Sequence, residues 1–226
     1  IQRVFHKAGF QSPILVQAQA APDPDFPTVA FPNPEEPGAI DLALETAKAF
    51  DAHLVIANDP DADRCAAAIN DPATGWRMLR GDELGAIFAE SIARKIDSGI
   101  FANSIVSSSI VRKIAAHYKL DFKETLTGFK WLAKIENLTF GYEEALGYAV
   151  DAKTVNDKDG ISAAITLAQI ATDLAAEGKT ILDLLDEVWA RHGFHATEQI
   201  SIRLSDLSKV GVILGGLRSN PPTEIA

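Results

Sequence analysis

Three aspartates, Asp59, Asp61 and Asp63, stand at alternate positions in the stretch DPDADR, with Arg64 directly behind them. Carboxylates crowded this way repel one another by on the order of 1 kcal/mol per close pair at surface dielectric, unless a cation offsets them. A divalent metal is the simplest offset. Three hard oxygen donors suit Mg2+, which keeps part of its water shell and accepts a phosphate oxygen as a further ligand. Arg64 is out of place in a cage built for a cation alone. A bound phosphate accounts for both features, because a guanidinium forks onto phosphoryl oxygens while the metal neutralises them.

Other chemistries compete for the same residues. Asp-Pro and Asp-Ala-Asp are turn formers, so a solvated acidic turn is the plainest alternative. A calcium loop of the EF-hand kind is excluded, because its sixth and twelfth positions require Gly and Glu and hold Arg64 and Asn70 here. A Mg2+-dependent phosphatase with Asp59 as covalent nucleophile stays open, although such enzymes generally carry Thr or Val in place of Asp63. A non-enzymatic module that binds sugar phosphate is a third reading.

The elements that must position these groups follow from hydrophobic spacing. Residues 1–10 read as the latter half of a helix ending at a Gly stop, so the chain is expected to be an excised piece of a longer protein. PILVQAQ is a strand candidate, and the proline-rich run APDPDFPTVAFPNPEEPG is a long, stiff loop without assigned chemistry. Residues 39–50 have helical spacing, HLVIAN is a strand delivering the aspartates to its carboxyl end, and CAAAIN and WRML are strands separated by a DPATG turn. In open α/β sheets, that end is where ligands gather.

From Gly81 helices and strands alternate: DELGAIFAESIARKI, SIVSSS, IVRKIAAHY, DFKET, FKWLAKIE and LTFGYE, followed by two amphipathic helices over 160–178 and 181–193. HATEQISIRL reads as a closing strand. The fold class expected is α/β, two consecutive layered domains with mixed, largely parallel sheets flanked by helices. The boundaries expected are 1–76, 77–203 and a connector over 204–226.

Composition narrows the class of function. The 226 residues carry 31 Asp and Glu against 21 Lys and Arg, a net charge of -10, which repels nucleic acid and anionic membrane at long range. No apolar run approaches the ~20 residues of a membrane-spanning helix. The single cysteine, Cys65, lies in an apolar run and reads as inert core, which fits a reducing cytoplasm. The five histidines show no metal-ligand spacing, and Trp76, Trp131 and Trp189 read as packing residues.

DPDADR resembles the metal loop of the α-D-phosphohexomutase superfamily, the phosphoglucomutases and phosphomannomutases. Four further stretches are similar in order: RGDELGAI to the opening of that family's third domain, TGFKWL to its TG-x-K segment, GYEEALGY to its sugar-recognition loop and DKDGISAA to its KDG helix start. The resemblance implies most of domain two and all of domain three of a four-domain enzyme. It further implies phosphoryl exchange between a phosphoserine of domain one and an aldose phosphate, through a bisphosphate intermediate, with a glucose-1,6-bisphosphate-type activator. No TASHNP-type serine loop and no phosphate-clamping segment of domain four occur in the sequence, so the piece alone is expected to be inactive.

Carried over residue by residue, Asp59, Asp61 and Asp63 match the Mg2+ ligands and Arg64 the arginine beside the phosphoserine. Glu143 matches the sugar-binding glutamate. Lys130 and Lys158 match basic residues near the sugar phosphate and the reacting centre. Gly128 and Gly141 would loosen the backbone before Lys130 and Glu143, and Asp157 and Lys158 would open an amphipathic helix whose amides attract phosphate. Many members have Ser where this chain has Ala145, a loss of one sugar hydrogen bond worth roughly 0.5 to 1.5 kcal/mol. GYEEALGY and DPDADR look closer to the branch of phosphopentomutases and glucose-bisphosphate synthases, which keeps pentose phosphate in view as substrate.

Overall fold

The computed structural model describes residues 1–198, 204–221 and 223. The first helix, α1 (Gln2–Lys7), ends where Gly9 takes a φ of +85°. PILVQAQ forms no strand. It yields only a 3-10 turn at Gln17–Gln19, with Ile14 left exposed, so the expected strand finds no partner on which to bury its apolar side chains. The proline-rich segment that follows has no regular element before α2 (Asp41–Ala49), as its missing amide donors dictate.

Three strands come next: β1 (Leu54–Ala57), β2 (Ala66–Asp71) and β3 (Gly75–Met78), forming a sheet in the order β1-β2-β3. Both pairings are antiparallel, not the largely parallel arrangement expected. The connections explain this. β2 and β3 are joined by a tight turn in which Ala73 N donates to Asp71 Oδ1 (2.8 Å), and short connections of this kind can only link antiparallel neighbours. The aspartates occupy the other connection, between β1 and β2.

The second sheet begins after α3 (Gly81–Ala93). It contains β4 (Ile100–Ser104), and the chain continues through α4 (Ile110–His117), β5 (Asp121–Thr125), α5 (Phe129–Leu132), β6 (Leu138–Glu143) and β7 (Gly147–Ala149). The strand order is β5-β4-β6-β7, with β4 parallel to β5 and β6, and β7 antiparallel to β6. The strand expected at SIVSSS lies earlier, at IFANS: Phe101 and Ala102 are fully buried, whereas Ile105 and Val106 sit exposed in the turn beyond. The helix expected over FKWLAKIE shrinks to the single turn of α5. Strand β7, unforeseen, folds back from the sugar-loop sequence.

Helices α6 (Gly160–Ala176) and α7 (Ile181–His192) complete the layer. Asp159 caps α6 by accepting from Ile161 N and Ser162 N, both at 3.1 Å, so the cap is Asp159 and not Asp157. Thr180 and Asp183 form a reciprocal capping box on α7. Helix α3 is buried on nearly every side and carries Leu84, Ile87 and Phe88 into a core shared with Phe101, Phe140, Tyr142 and Tyr148. Residues 1–196 form one compact unit holding both sheets.

Residues 199–203 of the closing strand expected over 195–204 lie outside the described residues, and 195–198 form no strand. In the second unit, residues 197–226, the stretch expected as a connector contains a helix, α8 (Ser208–Ser219). No helix among the described residues is long and apolar enough to cross a membrane.

Candidate functional site

The three aspartates converge. Asp59, Asp61 and Asp63 each offer an oxygen within 4.8 Å of the others, with Asp59 buried and Asp61 exposed. The turn that makes this possible is tight: Ala62 adopts a φ of +57° and its N donates to Asp59 O (3.0 Å). Asn58 Nδ2 closes the loop from the other side onto Arg64 O (2.7 Å). A donor set of three carboxylate oxygens fits a hard divalent cation such as Mg2+.

Arg64 holds Asp59 twice. Its backbone N donates to Asp59 Oδ1 (3.0 Å) and its Nε to Asp59 Oδ2 (2.6 Å). Burial by itself would raise the Asp59 carboxyl, but these two bonds and the guanidinium charge outweigh it and hold the group below the usual carboxylate range. A third contact runs from Arg64 Nη1 to Asn33 Oδ1 (3.1 Å) in the proline-rich loop.

The loop is stitched to the second sheet's elements by backbone bonds. Cys65 N donates to Leu146 O (3.0 Å), Arg64 pairs with Gly147 as an isolated antiparallel bridge, and Gly160 N donates to Ala62 O (3.1 Å). This approach demands glycine at 160, where an added Cβ would lie 2.2 Å from Arg64 O. Lys158, two residues upstream, is thereby delivered to the cluster, and its Nζ donates to Asp63 Oδ2. Two cations, Arg64 and Lys158, therefore face three carboxylates.

Glu143 stands at the end of β6, half-buried, and accepts from Gly128 N, whose φ is +114°. Burial raises its carboxyl above the ordinary range, the Gly128 amide opposes the rise, and the nearby charges of Glu144 and Asp157 add to it. Gly141 is not a loosened position: it is a paired strand residue of β6, facing Ala102 and Ala149. Lys130 is exposed on α5 with its Nζ 5.7 Å from the Trp131 ring, and Ala145 is exposed at the turn between β6 and β7.

Two groups were missed from sequence. Glu144 turns away from solvent and accepts from Ser104 Oγ (3.1 Å) and Ser107 Oγ (2.7 Å), while its N donates back to Ser107 Oγ (3.1 Å). This clamp fixes the segment carrying Glu143 and Ala145. Gly81 is the other half of the fit, since a Cβ there would sit 1.7 Å from Glu144 O. The doubled Glu of GYEEALGY was the only available signal. Asn33, thirty-one residues from Arg64, gave none.

The family description "Phosphoglucomutase/phosphomannomutase, alpha/beta/alpha domain II" matches residues 1–75, and "alpha/beta/alpha domain III" matches residues 80–192. The chain belongs to the phosphoglucomutase/phosphomannomutase family. The protein named "Probable phosphomannomutase" of Haemophilus influenzae is 47% identical over 228 residues, covering 100% of this chain and 47% of its own length. The human "Phosphopentomutase" is 34% identical over 238 residues, covering 97% of this chain and 39% of its own. The chain thus spans about half the length, or less, of these curated relatives. Among solved structures, a phosphoglucomutase/phosphomannomutase family protein from Burkholderia thailandensis superposes with a TM-score of 0.70 at 18% identity, covering 99% of this chain and 46% of that one. This likeness speaks to the fold, in which the family's domain II supplies the aspartate loop and its domain III the Glu143 turn and Lys158.

Proposed function

We propose that this chain is the metal-binding and sugar-binding centre of a longer phosphosugar mutase that exchanges a phosphoryl group between the 1-position and the terminal hydroxyl of an aldose phosphate. The observation that carries this reading is the convergence of Asp59, Asp61, Asp63, Arg64 and Lys158 from two separate parts of the sequence onto one cluster. A Mg2+ ion held by the three aspartates would neutralise charge on the transferring phosphoryl oxygens.

The chain's own residues do the rest. Arg64, fixed against Asp59, offers guanidinium donors to the phosphoryl group, and Lys158 places a second positive charge at the same cluster. Glu143 accepts hydrogen bonds from sugar hydroxyls and orients the acceptor. Lys130, exposed on α5, reaches for the sugar's distal phosphate. The nucleophilic phosphoserine and the last phosphate clamp belong to other parts of the parent chain, so the 226 residues alone are inactive, and a bisphosphate of the glucose-1,6-bisphosphate type primes the complete enzyme. The division at 1–76, 77–203 and 204–226 and a cytoplasmic setting belong to the same proposal.

Both oxygens of Asp59 are committed to Arg64, which disfavours Asp59 as the nucleophile of a phosphatase. A pentose phosphate substrate is the second reading, favoured by Ala145, which offers no hydroxyl to a hexose. The experiment is a coupled assay of the full-length enzyme with glucose, mannose and ribose 1-phosphates and a bisphosphate primer. Conversion of at least one supports the mutase, and the ratio of kcat/KM values decides between hexose and pentose. Release of inorganic phosphate without isomerised sugar would refute it.

A further inference from the structure

The proline-rich segment has a contact that its composition does not announce. Asn33 lies between Pro32 and Pro34, and Pro34 is buried. Proline fixes its own φ and biases the residue before it toward extended backbone, so Asn33 is presented on a stiff stretch of chain. Local bonds hold it further: Asn33 N donates to Phe31 O (2.8 Å), Glu36 N donates to Asn33 O (3.0 Å), and Glu35 N donates to Asn33 Oδ1 (3.3 Å). The same Oδ1 accepts from Arg64 Nη1 at 3.1 Å. Since both partners of this atom are N–H donors, the amide oxygen and not the nitrogen must face them.

Arg64 is therefore gripped at two nitrogens by two segments, Nε by Asp59 and Nη1 by Asn33. Two bonds in different directions fix the plane of a guanidinium, which a single bond leaves free to swivel. The two partners differ in charge. Asp59 offsets part of the cation, whereas a neutral amide oxygen fixes geometry without cancelling the charge a phosphoryl group needs.

We infer that Asn33 is a positioning residue, setting the plane of the Arg64 guanidinium so that its remaining nitrogen, Nη2, is presented to a transferring phosphoryl group. This rests on the phosphosugar mutase reading for its chemistry, though not for its geometry. A guanidinium oriented in advance surrenders less rotamer freedom when it meets phosphate, and that saving belongs to the transition state. The stiffness of the proline-rich loop is what makes the positioning effective.

Two measurements test it. In full-length enzyme, Asn33→Ala should lower kcat about tenfold with KM within about twofold, and in an Arg64→Ala background the same change should alter kcat by less than about twofold. In the 226-residue chain, side-chain NMR of 15N-labelled arginine should show faster guanidinium rotation at Arg64 in Asn33→Ala, whereas Asn33→Asp, which keeps an acceptor oxygen, retains slow rotation. Unchanged kcat in Asn33→Ala, a loss that adds fully to that of Arg64→Ala, or unaltered Arg64 resonances would overturn the inference. A wild-type enzyme without mutase activity would instead sink the functional reading, and the resonances would still decide whether Asn33 holds Arg64.

Discussion

Two charged clusters in the first unit, each setting carboxylates against cationic side chains, are arranged to opposite ends. Glu90, on α3, is 0% exposed and receives Tyr118 OH (2.8 Å), Arg94 Nε (3.0 Å) and Arg191 Nη1 on one oxygen, with His192 Nε2 at 3.0 Å from the other. One carboxylate is surrounded by donors from α7 and from the residues that follow α3 and α4. At the aspartate loop three carboxylates face two cations, and Asp61 is exposed. The first cluster is saturated and ties α7 to α3; the second is left short of positive charge. A buried structural charge must be fully partnered, whereas a cluster meant for a metal keeps lone pairs and net negative charge to offer.

The comparison predicts the largest stability effect at the saturated cluster. Glu90→Gln should cost about 2 to 3 kcal/mol in denaturant unfolding, because it replaces a buried carboxylate that accepts charge-assisted bonds from Arg94 and Arg191 with a neutral amide. A cost under about 1 kcal/mol would show that this network is not a tie. Next is Gly160→Ala. Helix propensity favours Ala by up to about 1 kcal/mol, but a Cβ 2.2 Å from Arg64 O forces the aspartate loop aside, so a net loss of about 1 to 3 kcal/mol is expected. Metal affinity should fall with it.

Titration sharpens the contrast further. Burial opposes ionisation of Glu90, yet the bonds from Tyr118, His192 and Arg94 outweigh it and lower its pKa below 4.5. Its stabilisation is therefore present above pH 4.5 and is lost as pH falls through the lowered folded value. Glu143 has the opposite sign: burial raises it above 4.5, so the fold gains stability on acidification through that raised value and loses it as pH rises. Glu143→Gln should accordingly stabilise the protein at pH 7, by under about 1 kcal/mol, while Glu90→Gln does the reverse. Equal signs in the two unfolding curves would break the distinction.

The smallest expected change in stability is at Asp61. Exposed and repelled by its neighbours, it should be replaceable by Ala within about 0.5 kcal/mol. Calorimetric titration with Mg2+ should nonetheless lose most of its heat in Asp61→Ala and in Asp63→Ala. Unchanged metal binding would refute the metal assignment.

Much of this was legible in the sequence wherever one local pattern carried the information. Three aspartates at alternate positions, the Lys-Asp-Gly helix start and the Gly-Tyr-Glu-Glu turn are short stretches whose residue types can be read locally, although the partners they meet lie far along the chain. Misplacements arose where burial decided: Ile105 and Val106 look like a strand but lie outside the sheet that Phe101 and Ala102 enter. The strands of the first sheet are legible in HLVIAN, CAAAIN and WRML, whereas their antiparallel direction follows from connections too short for a crossover and not from the alternation of helices and strands after Gly81. Residues acting across long separations, Asn33 on Arg64 and Ser104 and Ser107 on Glu144, leave no periodic trace, since only the folded chain brings them together.

The proposed function makes the under-neutralised cluster half of a phosphoryl-transfer site. Steady-state conversion of a sugar 1-phosphate by the full-length enzyme, with a bisphosphate primer and with Mg2+ present or chelated, tests it most directly, in wild type and in Asp61→Ala. Isomerisation should require Mg2+ and fall at least about a hundredfold in Asp61→Ala; isomerisation that survives both chelation and the substitution would refute the proposed role of the cluster.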